Sequence, residues 1–186
     1  MAEEHPLENS WTFWHGDALE KDWSKKIQPI CSFSTVESFW QYYNHIPRPG
    51  KCFFDGDSRA SVGPTNKVID ELSMFKKGIK PEWEDPQNRD GGCLFVRKTM
   101  DPQQVDHYWQ NAVLGLIGET VSDSICGIRV VDKGKRDTTM YRFEVWLKTN
   151  DQENMRTVRE KFGRCIAEGS SNFKKGHPSF DWKKHK

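Results

Sequence analysis

Residues 125–148 read ICGIRVVDKGKRDTTMYRFEVWLK, two strands joined by a basic turn. Segments 125–132 and 140–148 are rich in β-branched and aromatic side chains, which fit a pleated, half-buried surface. In the second segment Tyr141, Phe143, Val145 and Leu147 point one way, while Arg142, Glu144, Trp146 and Lys148 point the other. The first set is a core face. The second sets an indole among cations on the solvated side. The turn itself carries Lys133, Lys135 and Arg136.

The chain on either side has alternating character. Downstream, Met155, Val158, Phe162, Cys165 and Ile166 recur at helical spacing within 151–168. Upstream, Asp101-Pro102 is an N-cap with proline at the first helical position, opening a helix to about Ile117. Its apolar side holds Val105, Tyr108, Trp109, Ala112, Val113, Leu116 and Ile117. Residues 93–98, CLFVRK, are a strand, and 10–15, SWTFWH, are another. Residues 27–33, IQPICSF, form a strand whose Pro29 fits an edge position. Ser34-Thr35-Val36-Glu37 has the S-x-x-E form of a capping box and starts a helix with Val36, Phe39, Trp40 and Tyr43, ending near Pro47. Residues 47–66 and 78–92 are loops. Between them Val68, Leu72 and Phe75 predict a short helix. Strands paired by hairpins with helices interspersed indicate an α+β fold, an antiparallel sheet with helices on one face.

Composition narrows the function. The chain has 186 residues, 28 basic and 27 acidic, so any phosphate site must be a local cluster. Five cysteines without a CxxC pair argue against a zinc cage or a disulfide framework and for a reducing compartment. Six scattered histidines propose no metal site, and nothing calls for a cofactor. The apolar runs fall far short of the roughly 18 residues of a membrane span, and the polar, acidic start MAEEHPLENSW is not a signal peptide. A soluble protein of the cytoplasm or nucleus is expected. The mean hydropathy is low, −0.84, yet there are eight tryptophans, so these serve as core filler or as binding surfaces.

Basic groups interleaved with exposed aromatics give planes for bases and charge for phosphates; a solvated strand face beside an ordinary basic turn is the plainer reading. Trp83 sits in a loop between Pro81 and Pro86, flanked by Glu82, Glu84 and Asp85. A stiff loop presenting an indole beside carboxylates suits a cationic aromatic ligand. An indole that packs back onto the sheet is the alternative, and Trp23, in the loop 16–26, poses the same question.

Several ordered strings resemble the cap-binding eukaryotic translation initiation factor 4E family. They are His5-Pro6-Leu7 with Trp11 and Trp14; Thr35 to Trp40 with Tyr43-Asn44-His45-Ile46; Gly78-Ile79, Pro81, Trp83-Glu84-Asp85 and Gly91-Gly92; Trp109 with Leu116-Ile117-Gly118-Glu119; and Cys126-Gly127 with Trp146. The resemblance covers about residues 5–168. It implies a curved, cupped-hand antiparallel sheet with three helices on its convex face. It implies a binding protein rather than an enzyme, a monomer whose ligand is capped messenger RNA, 7-methylguanosine with its triphosphate. Carried over by position, Trp23 and Trp83 stack on the base, Glu84 accepts guanine N–H groups and Trp146 meets the N7 methyl. Lys133, Lys135, Arg136 and Arg142 supply the phosphate grip. On the back, His5, Pro6, Val36, Trp40, Gln110, Asn111 and Leu114 match the surface that receives the scaffold initiation factor 4G or 4E-binding proteins through a tyrosine–leucine helical motif. The expected layout is an arm at 1–10, a single domain at 11–168 and a polar, basic tail at 169–186.

This sequence departs from the family at three places. The segment 47–69 is longer than usual. Cys93 stands where an arginine is usual after the double glycine, and the basic turn is longer. Gln110 and Asn111 replace a leucine and a glutamate, which suggests altered partner choice. The rival roles are a family member that represses or stores messages, a general single-strand RNA binder, and an enzyme using Glu84 and Asp85 as acid and base. For the last, the sequence offers no nucleophile–base constellation.

Overall fold

The computed structural model describes residues 4–62, 66–169 and 178–185. Seven strands form one antiparallel sheet: β1 (Pro6–Asp17), β2 (Ile27–Thr35), β4 (Lys67–Lys76), β5 (Gly92–Lys98), β6 (Ile125–Asp132), β7 (Tyr141–Leu147) and β8 (Asp181–Lys184). Their order across the sheet is β2-β1-β4-β6-β7-β5-β8, and the short β3 (Ser61–Val62) pairs with β4. Bulges interrupt the register at Phe13/Trp14, Gly16/Asp17 and Ile125/Gly127, and such bulges bend and twist strands. β2 lies at an edge, where Pro29 removes no ladder bond of an inner strand.

Three long helices pack on one face: α2 (Val36–Tyr43), α4 (Pro102–Ile117) and α5 (Gln152–Ala167). Phe39 and Tyr43 of α2, Val105, Tyr108 and Val113 of α4, and Val158 and Phe162 of α5 share one core with the sheet. Tyr141, Phe143, Val145 and Leu147 of β7 belong to that core. The opposite face of the sheet has its own small cluster of Phe75, Cys93, Cys126 and Trp146. The alternation read from 140–148 is thus the alternation of the fold.

Asp101 caps α4 by accepting the Gln104 N–H at 2.9 Å, with Pro102 in the first turn. The cap of α2 lies one residue later than the capping box in the sequence indicates. Thr35 accepts from Ser38 N, and Ser38 Oγ accepts from Thr35 N. Glu37 is thereby left to bind His5, whose backbone N–H it accepts at 3.0 Å.

Residues 67–76 are a strand, not the short helix their spacing predicts. β4 is central and buried on both sides, with Leu72 and Met74 in the main core and Phe75 in the opposite cluster. A strand covered on both faces shows no polar alternation. The segment 47–62 is a surface loop only in part: residues 55–60 are irregular and mostly exposed, but its first half is not. It contains the short helix α3 (Pro49–Cys52), and Cys52, Phe53 and Phe54 are buried. In the tail, Asp181–Lys184 form β8 along β5.

Candidate functional site

The loop between β4 and β5 is fixed by its own polar side chains. Asp85 accepts the N–H groups of Lys80 and Gln87, each at 2.9 Å. The buried Asn88 donates to the carbonyls of Lys80 and Glu82 at 2.8 and 2.9 Å. Asp85 is therefore a loop staple. The loop holds Trp83 with 40% of its surface exposed, beside an exposed Glu84.

The face of the sheet opposite the helices reads as three successive rows. The first is Trp146 with Cys93 and Gly127, the second Glu144 with Phe95 and Arg129, and the third Arg142 with Arg97 and Val131. Same-face residues on a strand lie about 6.8 Å apart, so the surface passes from aromatic to ionic to basic over about 14 Å. Gly127 makes the first row possible, because a Cβ there would lie 2.4 Å from the Phe75 ring.

Trp146 is not on a wet surface, as the alternation alone suggests; it is only 1% exposed. Phe75 meets it edge-on at 5.4 Å and His185 covers it at 4.4 Å. Its Nε1–H donates to Glu144 Oε2 at 2.7 Å. Glu144 pairs with Arg142 at 2.6 Å and lies 3.9 Å from Arg129, which pairs with the buried Glu71 at 2.7 Å. Burial pushes the Glu71 carboxyl up to about 7 against the pull of Arg129. The polar face of β7 and an arginine inside the apolar run of β6 are the signals in the sequence for this network.

The basic row leads into a cavity of about 320 Å³ lined by Arg97, Lys133, Lys135, Thr138 and Met140. Partial burial, and then the neighbouring Arg129 and Arg142, hold the Lys133 ammonium below its ordinary pKa. With Arg97 and Lys135 also in its lining, this cavity is a local cluster of positive charge suited to an anion. Arg142 lies over the Phe95 ring at 4.1 Å. Arg136 is at the turn, at φ 54°, and is not among these lining residues. The segment 47–62 braces the turn from below. Buried Asp132 accepts from Phe54 N at 2.8 Å, Arg59 Nε at 2.7 Å and Gly134 N at 2.8 Å. Nothing in the sequence pairs Asp132 with residues more than 70 positions away.

The backbone of Trp23 opens the short helix α1 (Trp23–Lys26), capped by Asp22; its indole lies outside the described residues. On the helix side, Val36 and Trp40 are 37% and 38% exposed, one turn apart on α2. His5 is held beside them by Glu37, and Pro6 is exposed. Gln110 accepts from Arg48 at 2.8 Å, and Asn111 donates to the Ile166 and Glu168 carbonyls at the end of α5. Leu114 is half-buried against the core. All five cysteines are free, and no metal-ligating cluster exists among the described residues.

Comparison with known proteins agrees with this architecture. The sequence model of the family described as eukaryotic initiation factor 4E matches residues 6–186. Eukaryotic translation initiation factor 4E-1 of Arabidopsis thaliana is 34% identical over 159 residues, 82% of this chain and 59% of that protein's length. The chain therefore spans less than two thirds of this relative. Ascaris suum eIF4E-3, solved in complex with the m7G cap, has a TM-score of 0.78 at 26% identity, over 99% of this chain and 93% of that one. C. elegans eIF4E-3, solved with the 4E-binding protein Mextli and a cap analog, has a TM-score of 0.72 at 27% identity, over 91% and 89% of the two chains.

Proposed function

Because this chain belongs to the eukaryotic initiation factor 4E family, we propose that it binds the 7-methylguanosine cap of messenger RNA and serves translation initiation by recruiting a partner protein through α2. The observation that carries this reading is the loop 77–91, where a half-exposed Trp83 and an exposed Glu84 sit on backbone locked by Asp85 and Asn88. Methylation at N7 makes the base a cation. An indole face then attracts it, and a carboxylate accepts N–H groups from a charged ring more strongly than from a neutral one. Trp83 supplies the first, Glu84 the second, and Trp23 the opposing face of the sandwich. The aromatic row at Trp146 meets the methyl end, and the phosphates run along β7 toward Arg142, Lys133 and Lys135, with Arg136 at the rim.

Tryptophan-fluorescence titration with 7-methyl-GTP and with GTP tests this reading. Stacking contributes about 1–3 kcal/mol per face and charge-assisted hydrogen bonds about 1.5–3 kcal/mol. Strong quenching near micromolar 7-methyl-GTP, with a large preference over GTP and a decline with salt, is expected. Equal binding of the two nucleotides refutes the reading and favours a general RNA binder.

The partner is a scaffold or 4E-binding protein that lays a tyrosine–leucine helix over Val36 and Trp40, with His5 and Pro6 at the edge. Trp40→Ala releases that partner in a pull-down while 7-methyl-GTP affinity stays within twofold. Retained partner, or joint loss of both activities, contradicts the separation of the two surfaces. One observation favours the second reading, a member that represses or stores messages. Gln110 and Asn111 are engaged within the chain by Arg48 and the end of α5, so neither side chain is free to meet a partner as the residues usual at those positions are.

A further inference from the structure

The slot beside Trp83 and Trp146 is filled by the chain itself. β8 runs antiparallel to β5, with Lys184 opposite Gly92 and Lys183 opposite Cys93. Gly92 admits it, since a Cβ there would lie 2.5 Å from the Lys183 carbonyl. Past the strand, His185 N donates to the Gly91 carbonyl at 3.1 Å, and Nδ1–H donates to the Asn88 carbonyl at 2.8 Å. The imidazole lies 4.4 Å from the Trp146 ring and 6.4 Å from Trp83, within 15° of parallel to the latter. The Lys183 ammonium stands 4.7 Å from the Trp83 ring centroid. His185 is 4% exposed.

We propose that Lys183–His185 are an intramolecular occupant of the base slot, which a methylated guanine must displace before it reaches Trp146. The inference rests on the cap reading and deepens it. The occupant imitates the ligand in pieces, with a positive charge at the indole of Trp83 and a flat nitrogen heterocycle against Trp146. While the segment is docked, Trp146 is closed to any ligand. The docking is also displaceable. His185 Nε2 is buried without a hydrogen-bond partner among the described residues, an uncompensated burial that weakens the docked state. Burial keeps the imidazole pKa below its ordinary value, so the docked ring is neutral and only Lys183 provides charge.

Occupancy of this kind has a definite signature. It lowers the apparent affinity of every base ligand by the fraction of molecules with an open slot, and so changes affinity without changing selectivity. A tail that instead contributes contacts to the bound cap does the opposite. The test is the full chain carrying Lys183→Ala and His185→Ala together, titrated with 7-methyl-GTP and GTP. Both affinities are expected to rise by the same factor, roughly three- to tenfold, leaving their ratio unchanged. Affinities equal to or below wild type overturn the occupant while wild-type binding of 7-methyl-GTP leaves the cap reading standing. Failure of both proteins to bind overturns both readings. A second readout needs no variant affinity. The His185 ring protons, assigned by their absence in His185→Ala, are shifted by the Trp146 ring current in free protein. They move to ordinary histidine positions when 7-methyl-GTP is added. Resonances that stay in place under saturating ligand overturn displacement.

Discussion

Trp83→Ala lowers 7-methyl-GTP affinity thirtyfold or more and leaves the melting temperature where it was. The binding loss combines one stacking face with the cation–π attraction to the methylated ring, about 2–4 kcal/mol together. The unchanged stability follows from the position of the side chain. The indole is 40% exposed and its loop is held by Asp85 and Asn88, so its removal costs no more than about 0.5 kcal/mol of folding energy. GTP binding, lacking the cation, falls less. The substitution also removes the ring on which Lys183 rests, which loosens the tail and offsets a small part of the loss. Fluorescence titration and thermal melting of the same sample check both halves. Full retention of 7-methyl-GTP binding rules out the stacking role of Trp83.

Arg129→Ala has the largest expected effect on stability. The guanidinium is the cation between Glu71 at 2.7 Å and Glu144 at 3.9 Å, and both carboxylates are buried. Breaking a buried ion pair from one side costs about 3–5 kcal/mol, because the remaining charge is buried without compensation. For a chain of this size that is a fall in melting temperature of roughly 6–20 °C. The loss depends on pH in a defined direction. The Glu71 pKa is already raised to about 7, and removing Arg129 raises it further. A carboxyl whose folded pKa lies above its unfolded pKa favours folding at low pH, and that contribution is lost as pH rises through the interval between the two. The variant is therefore least impaired near pH 5 and most impaired above pH 7. Adding Glu71→Gln recovers part of the stability. Melting curves at both pH values measure this, and a deficit independent of pH contradicts the network.

The parts of this fold that were legible in the sequence are those set by local rules. The β6–β7 hairpin, the two faces of β7 and the Asp101-Pro102 start of α4 follow from period-two alternation and capping chemistry. β4 was not legible, because a strand packed on both faces carries no alternation, and Leu72 and Phe75 coincide with helical spacing. The tail was not legible for another reason. β8 is polar and short, and its partner β5 lies almost 90 residues earlier. The burial of Trp146 is a consequence of that missed pairing, since His185 provides the cover. At the site, Trp83 and Glu84 stood out as an indole and a carboxylate in a proline-flanked loop. Arg129, Glu71 and Asp132 act through partners 15 to more than 70 residues away, which no local pattern reveals.

β8 has one more consequence, concerning how the protein keeps to itself. It is the outermost strand on its side of the sheet, and it covers the backbone groups of β5 that would otherwise template pairing with a second molecule. Trp182 and the buried Phe180, which meets Phe162 at 5.6 Å, anchor its inner end. If only Lys183–His185 lift away, the pairs Leu94 with Trp182 and Phe95 with Asp181 remain. Opening the slot then bares two residues at the start of β5, Gly92 and Cys93, rather than a whole edge, so ligand exchange leaves little sticky strand on which aggregation could begin.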